Sequence, residues 1–159
     1  MILLVRVDDR LLHGQVIGAW VPFLRANLLV VASDEAAGDA MRASVMSACG
    51  DEGLKVTVRT IKELSGGRGE EDFAAERGIV VVGDLRDAMR LYEGGFRFTS
   101  LNIGNVHHHN GSGRKVTSSV MLSGEDEDII ERLEGLGVGI DIRSLPSAEP
   151  AVYKKGHAS

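Results

Sequence analysis

Met1-Ile2-Leu3-Leu4-Val5-Arg6-Val7-Asp8-Asp9-Arg10-Leu11-Leu12-His13-Gly14-Gln15-Val16-Ile17-Gly18-Ala19-Trp20-Val21-Pro22-Phe23-Leu24 opens the chain. Three textures follow one another in it. Met1 to Val5 is an apolar run with the length of a buried strand, whereas Val16, Ile17, Trp20 and Leu24 recur at roughly helical spacing. The polar residues between them therefore occupy a strand-to-helix turn, which aims backbone N–H groups and the positive end of the helix dipole outward. Pro22 lacks an N–H and predicts a bend or split in that helix.

The same alternation runs through the chain. Ile2 to Arg6, Leu28 to Ala32, Lys55 to Thr60, Ile79 to Val82, Phe98 to Ile103 and Val138 to Ile142 are the strand candidates, separated by helical patterns. This predicts an α/β fold: a single domain over residues 1–159 with a mainly parallel, twisted sheet and helices on both faces. Asp84 caps a helix burying Leu85, Ala88, Met89 and Tyr92, which Gly94-Gly95 ends. Ser33 or Asp34 caps another, with Ala37, Met41, Ser44, Val45 and Ala48 inward. Ser123 opens a third through Glu125 and Asp126, with Ile129, Ile130, Leu133 and Leu136 inward and Gly137 as its stop. Ser65 to Asp72 is polar and glycine-rich, hence a loop. Residues 146–159, polar from Glu149 onward apart from Ala151, Val152 and Tyr153, are expected to be a weakly packed tail.

Composition narrows the function. The 159 residues are 43% hydrophobic and 26% charged, in the range of one soluble globular domain. Eighteen Lys and Arg against 23 Asp and Glu give a net charge of −5, with the basic residues scattered, so nucleic acid is not an expected partner. Cys49 is alone, which excludes an internal disulfide and a Cys pair for zinc and suits a reducing cytosol. No apolar run reaches spanning length. The first turn has neither Gly-x-Gly-x-x-Gly nor Gly-Lys-Ser/Thr, which disfavours a nucleotide-binding domain.

Within the turn, His13 reads either as a nucleophile or as a helix-start histidine hydrogen-bonded to backbone, and the spacing of the polar residues around it favours the nucleophile. An imidazole, with an ordinary pKa of about 6.5, offers a neutral nitrogen at cytosolic pH and forms a P–N bond that remains reactive. Arg10 has the planar fork that binds two phosphoryl oxygens at once; the alternative, compatible with it, is an ion pair with Asp8 or Asp9 that shapes the loop. Arg6 either contacts phosphate or pairs with an Asp inside. Asp8 or Asp9 can accept the imidazole N–H, or serve only the turn, and at least one of them is expected to engage an Arg. Gly14 permits a close backbone approach to phosphate through its N–H and Gln15 adds a neutral polar tip, or either serves only to start the helix. The loop Gly104 to Gly113 leaves the Phe98 to Ile103 strand at the same end of the sheet, where parallel sheets bind ligands. Ser33, Asp34, Asn102 and Gly104 are candidate lining residues of a shared shallow cleft. His107-His108-His109 is a weak metal motif, with no further ligand at a recognised spacing, and reads as a solvated loop.

Arg6 to Val16, followed by Trp20, resembles the active-site signature of enzyme IIB components of the mannose/fructose/sorbose family of the sugar phosphotransferase system. The similarity continues through Val30-Val31-Ala32-Ser33-Asp34, Leu101-Asn102-Ile103-Gly104, Gly113-Arg114-Lys115 and the segment from Gly137-Val138 to Pro146. The resemblance implies that His13 accepts a phosphoryl group on Nδ1 from the phosphohistidine of a IIA protein. It also implies that the group passes to a sugar entering through membrane IIC and IID subunits. A cytoplasmic location with peripheral association at those subunits follows; a homodimer is a candidate assembly, and the sequence leaves the oligomeric state open. Transfer between two histidines needs no cofactor and no metal. Arg10, Arg114 and Lys115 form a candidate basic rim for the donor. Asn105 stands where the family often has a second Gly, and Cys49-Gly50-Asp51-Glu52 where relatives have a Pro-containing turn. A regulatory phosphoprotein, phosphorylated on the same His13 but without transport, is the alternative reading.

Overall fold

The computed structural model describes residues 1–66 and 71–156. The six apolar runs form one parallel sheet: β1 (Ile2–Asp8), β2 (Leu28–Ala32), β3 (Lys55–Arg59), β4 (Gly78–Val82), β5 (Ser100–Asn105) and β8 (Gly139–Ile142), in the order β3-β2-β4-β1-β5-β8. Between β5 and β8 lies an antiparallel hairpin, β6 (Arg114–Thr117) and β7 (Val120–Leu122).

The direction of each crossover decides which face its helix covers. The connections from β1 to β2 and from β2 to β3 run one way across the sheet, and those from β3 to β4, β4 to β5 and β5 to β8 run back. Right-handed crossovers then put the two groups on opposite faces. The first group comprises a π-helical turn (Val16–Trp20), α1 (Val21–Leu24), α2 (Asp34–Ala37) and α3 (Ala40–Ser47). It packs on one core with Leu29, Val31, Ile79 and Val81. The second comprises α4 (Ile61–Leu64), α5 (Leu85–Glu93) and α6 (Gly124–Gly135). It packs on the other core with Leu28, Val30, Val80 and Val82. Neighbouring residues of β2 and β4 thus serve different cores, as the two-residue period of a strand requires.

Ser33, Asp84 and Ser123 each accept a backbone N–H three residues on, from Ala36, Asp87 and Asp126. Such caps contribute about 1 kcal/mol each. Pro22 falls in the first turn of α1, and the chain before it takes π-helical spacing, so the expected break is a change of helix type.

Three expectations change. The helix predicted to bury Met41 and Val45 is interrupted at Gly38-Asp39, where Asp39 caps α3 afresh. The new helix is rotated so that Met41 and Val45 are 79% and 63% exposed, and Met46 is the side chain that packs inward. Leu136, predicted inward, is half exposed because the chain turns away at Gly137, whose φ is +90°. The C-terminal segment, expected to pack weakly, is tied down over its described part. Ala151 N–H joins the sheet edge at Ile142 O, and Tyr153 packs on the core. Glu127 accepts from Tyr153 Oη, Gly156 N and Arg114. Arg114 is therefore committed to Glu127 and to Lys154 O rather than to a free basic rim. Burial and the bond to Glu127 push the Tyr153 phenol up to about 12. Of the loop Ser65 to Asp72, residues 67–70 lie outside the described residues, and a 3-10 turn at Glu71–Phe73 follows.

Candidate active site

β1 sits between β4 and β5, so its carboxyl end emerges at the middle of the sheet. Its pairing with β5 sets Arg6 beside Asn102 and, after a register irregularity, Asp8 beside Asn105. Asp9 N–H donates to Asn105 O, and Leu11 N–H closes a turn onto Asp8 O. Leu11 holds φ at +57°, a left-handed conformation costing a branched residue about 1–2 kcal/mol. Its side chain is buried in the core behind the turn. That burial, worth about 1.5–3 kcal/mol, offsets the strain and fixes the loop. At His13 the helical run begins, and His13 O accepts from Val16 and Ile17.

One carboxylate organises the side chains. Asp8 is fully buried, and its Oδ2 lies 2.6 Å from His13 Nε2. The same oxygen accepts from Arg6 Nη2 at 3.1 Å and from Asn105 Nδ2 at 3.0 Å. Oδ1 accepts the Arg10 N–H at 3.0 Å and faces Arg10 Nε at 3.5 Å. Burial alone would raise the Asp8 carboxyl; the bonds from His13 and the Arg10 N–H and the charge of Arg6 outweigh it, and the shift is downward. An ionised Asp8 accepts only, so Nε2 carries the imidazole proton and Nδ1 keeps its lone pair. Nδ1 receives the Gln15 N–H at 3.2 Å. His13 is 15% exposed, enough to be reached from outside.

Arg6 and Arg10 divide the two readings available to an arginine here. Arg6 is sealed at zero exposure, held by Asp8, by Asn102 Oδ1 at 2.7 Å and over the face of Trp20 at 5.5 Å. No surface phosphate reaches it, and its place is behind Asp8. Burial lowers its guanidinium from the ordinary value, while Asp8 pulls it up. Arg10 is 45% exposed and donates to Gln15 Oε1 at 2.8 Å. Two guanidiniums on one carboxylate leave net positive charge beside the imidazole.

Asp9 turns the other way. Its Oδ2 accepts from His107 N at 2.8 Å and faces His107 Nδ1 at 2.9 Å, so Asp8 alone meets His13. His108 Nε2 in turn faces Asp126 Oδ2 at 2.8 Å. The histidine run is thus parted between two carboxylates on different elements. Asp9, Ser33, Asp34 and His107 to His109 line a cleft of about 720 Å³ whose lining does not include His13. Ser33 and Asp34 lie where expected. Asn102 and Gly104 do not line it: Asn102 is buried between Arg6 and Arg143 O, and Gly104 lies under the Arg6 guanidinium. Gly14 is exposed, with no atom within 4 Å of the position a Cβ would take. Asn105, read only as a departure in loop geometry, belongs to the network. The signal that finds it is the pairing of the β1 and β5 ends, which spacing along the chain does not carry.

Residues 2–155 match the family described as PTS system sorbose subfamily IIB component. The N-acetylgalactosamine-specific phosphotransferase enzyme IIB component 2 of Escherichia coli K12 is 33% identical over 153 residues, covering 95% of this chain and 94% of that protein. The mannose-specific EIIAB component of the same organism is 29% identical over 147 residues, 92% of this chain, and the match spans 45% of that relative's length. The crystal structure of the N-acetylgalactosamine-specific IIB component 1 from Escherichia coli is similar with a TM-score of 0.86 at 27% identity, covering 97% of this chain and 100% of that one.

Proposed function

Because the chain belongs to the sorbose subfamily of IIB components of the sugar phosphotransferase system, we propose that it is a phosphotransferase whose His13 carries the phosphoryl group. The observation that carries this reading is the 2.6 Å contact between Asp8 Oδ2 and His13 Nε2. It supports a proton on Nε2, with Nδ1 free to act as the nucleophile.

The donor is the phosphohistidine of a IIA protein. Its P–N bond breaks as the Nδ1 lone pair of His13 bonds to phosphorus, and the electron pair returns to the donor ring. His13 gains positive charge, which Asp8 stabilises through Nε2–H without taking the proton. Arg10 meets the oxygens of the transferring group, and the Gln15 N–H beside Nδ1 is placed to do the same. In the second step a sugar hydroxyl attacks phosphorus, the P–N bond of His13 breaks and the hydroxyl proton leaves to a base or to solvent. Membrane IIC and IID subunits bring the sugar, and this chain works against their cytoplasmic side. Among the described residues no helix is long and apolar enough to cross a membrane.

The test is incubation with phosphoenolpyruvate, the general phosphotransferase proteins and a IIA protein, followed by mass spectrometry at alkaline pH. One acid-labile phosphoryl group, absent in His13→Ala, is the expected result. Label persisting in His13→Ala would overturn the assignment.

A further inference from the structure

Asn105 is the last residue of β5, and both its backbone and its side chain face the loop that carries His13. Its carbonyl takes the Asp9 N–H at 3.1 Å. Its buried carboxamide donates to Asp8 Oδ2 at 3.0 Å and reaches Gln15 Oε1 at 3.4 Å. These two acceptors lead to different halves of the site. Asp8 Oδ2 is the oxygen that orients the imidazole, and Gln15 Oε1 is the atom that takes Arg10 Nη2 at 2.8 Å.

We propose that Asn105 is a positioning residue for phosphoryl transfer, its carboxamide tying the carboxylate that aims His13 to the glutamine that aims Arg10. The proposal rests on His13 being the phosphoryl acceptor. Asp8 does not need Asn105 in order to remain ionised and in place. Arg6 holds Oδ2 through Nε at 3.3 Å and Nη2 at 3.1 Å, and the Arg10 N–H holds Oδ1. The contribution of the amide is one that Arg6 cannot make from behind the carboxylate: it sets the separation between Nδ1 of the nucleophile and the exposed guanidinium. Misplacing a catalytic group by about 1 Å can cost on the order of 100-fold in rate.

Phosphoramidate tests this without any partner protein. It phosphorylates a reactive imidazole directly: its P–N bond breaks, ammonia leaves, and phosphorus bonds to the ring nitrogen. The initial rate of label on the full chain is read by mass spectrometry at alkaline pH for wild type, Asn105→Ala, Gln15→Ala and the double variant, with His13→Ala as the blank. Asn105→Ala is expected to be about 10- to 100-fold slower than wild type. Gln15→Ala should reproduce much of that loss, and the double variant should be no slower than the slower single, since both changes cut one chain of contacts. With a phosphorylated IIA protein as donor, the maximal rate should fall while the half-saturating donor concentration stays within about threefold, a split that general loosening of the fold would not give. Wild type labelled, with Asn105→Ala within twofold of it, or losses that simply multiply in the double variant, overturns the proposal. If Asn105→Ala does not fold, Gln15→Ala decides it, because that half-buried side chain can be removed without opening the core; a rate within twofold of wild type refutes the link. Wild type unlabelled by both donors defeats the reading of His13 itself, a result distinguishable from failure of Asn105.

Discussion

Substituting Gly104 by alanine should break the buried contacts of Arg6, because the new methyl lands on its guanidinium. A Cβ at this position lies 2.1 Å from Arg6 Cζ and Nη2 and 2.3 Å from Nη1. Non-bonded carbon contacts settle near 3.5–4.0 Å, so the guanidinium must retreat by roughly 1.5 Å. An arginine tip ordinarily swings aside cheaply, but this one is enclosed by Asp8, Asn102 and the Trp20 ring at zero exposure. Retreat means parting the buried Arg6–Asp8 pair, an event that costs about 3–5 kcal/mol when one partner is lost. With a urea slope of about 2 kcal/mol per molar, the unfolding midpoint should drop by roughly 1.5–2.5 M. The same substitution in an Arg6→Ala background, where the methyl has room, should cost less than about 1.5 kcal/mol, giving a large coupling energy. Urea titration of the four proteins of the cycle measures it. A loss below about 1 kcal/mol for Gly104→Ala, or equal losses in both backgrounds, refutes the packing described.

Asp8→Asn should remove label acceptance by at least tenfold, since an amide can present its NH₂ to Nε2 and place the proton on the wrong ring nitrogen. The folded pKa of Asp8 lies below its unfolded value, so its stabilisation is full above about pH 4 and fades as pH falls through the folded value. Acid titration of the unfolding midpoint below pH 4 should therefore be shallower in Asp8→Asn than in wild type; an unchanged slope contradicts the downward shift. Gly14→Ala should leave stability within about 0.5 kcal/mol, because nothing in the chain meets the added methyl. Its phosphorylation should nonetheless slow about tenfold or more, as the methyl blocks backbone approach to the phosphoryl oxygens; equal rates would show that no such approach occurs. At Leu11 the usual order of truncations should invert: glycine relieves the left-handed conformation and should be more stable than alanine by about 1 kcal/mol, which thermal unfolding of the two variants decides.

The six sheet strands are legible because each is an apolar, β-branched run bounded by polar turns, and the parallel sheet follows from their alternation with helices. The hairpin β6–β7 is not, since Arg114-Lys115-Val116-Thr117 and Val120-Met121-Leu122 are too short and mixed to show a period. α3 misleads in another way. Met41 and Val45 keep helical spacing with Ala37, but the restart at Asp39 turns that stripe to solvent. In the site, the turn from Arg6 to Gln15 is legible as a unit, because its polar residues interrupt an apolar chain at one place. Which carboxylate meets His13, which arginine is sealed and why position 104 is glycine depend on β1 and β5 lying side by side. Those facts join residues nearly a hundred positions apart, and no local pattern contains them.

Trp20 is the sole tryptophan of the chain. It is buried, donates its indole N–H to Ser144 O at 2.9 Å, and has the guanidiniums of Arg6 and Arg143 each 5.5 Å from its ring centre. Ultraviolet emission from the chain at long excitation wavelength is therefore the signal of a single indole, linked to His13 through the Arg6 guanidinium over its ring and the Asp8 carboxylate. A phosphoryl group on His13, as proposed, would alter the field at that indole, so single-tryptophan emission in a stopped-flow cuvette should follow the transfer without dye or radiolabel.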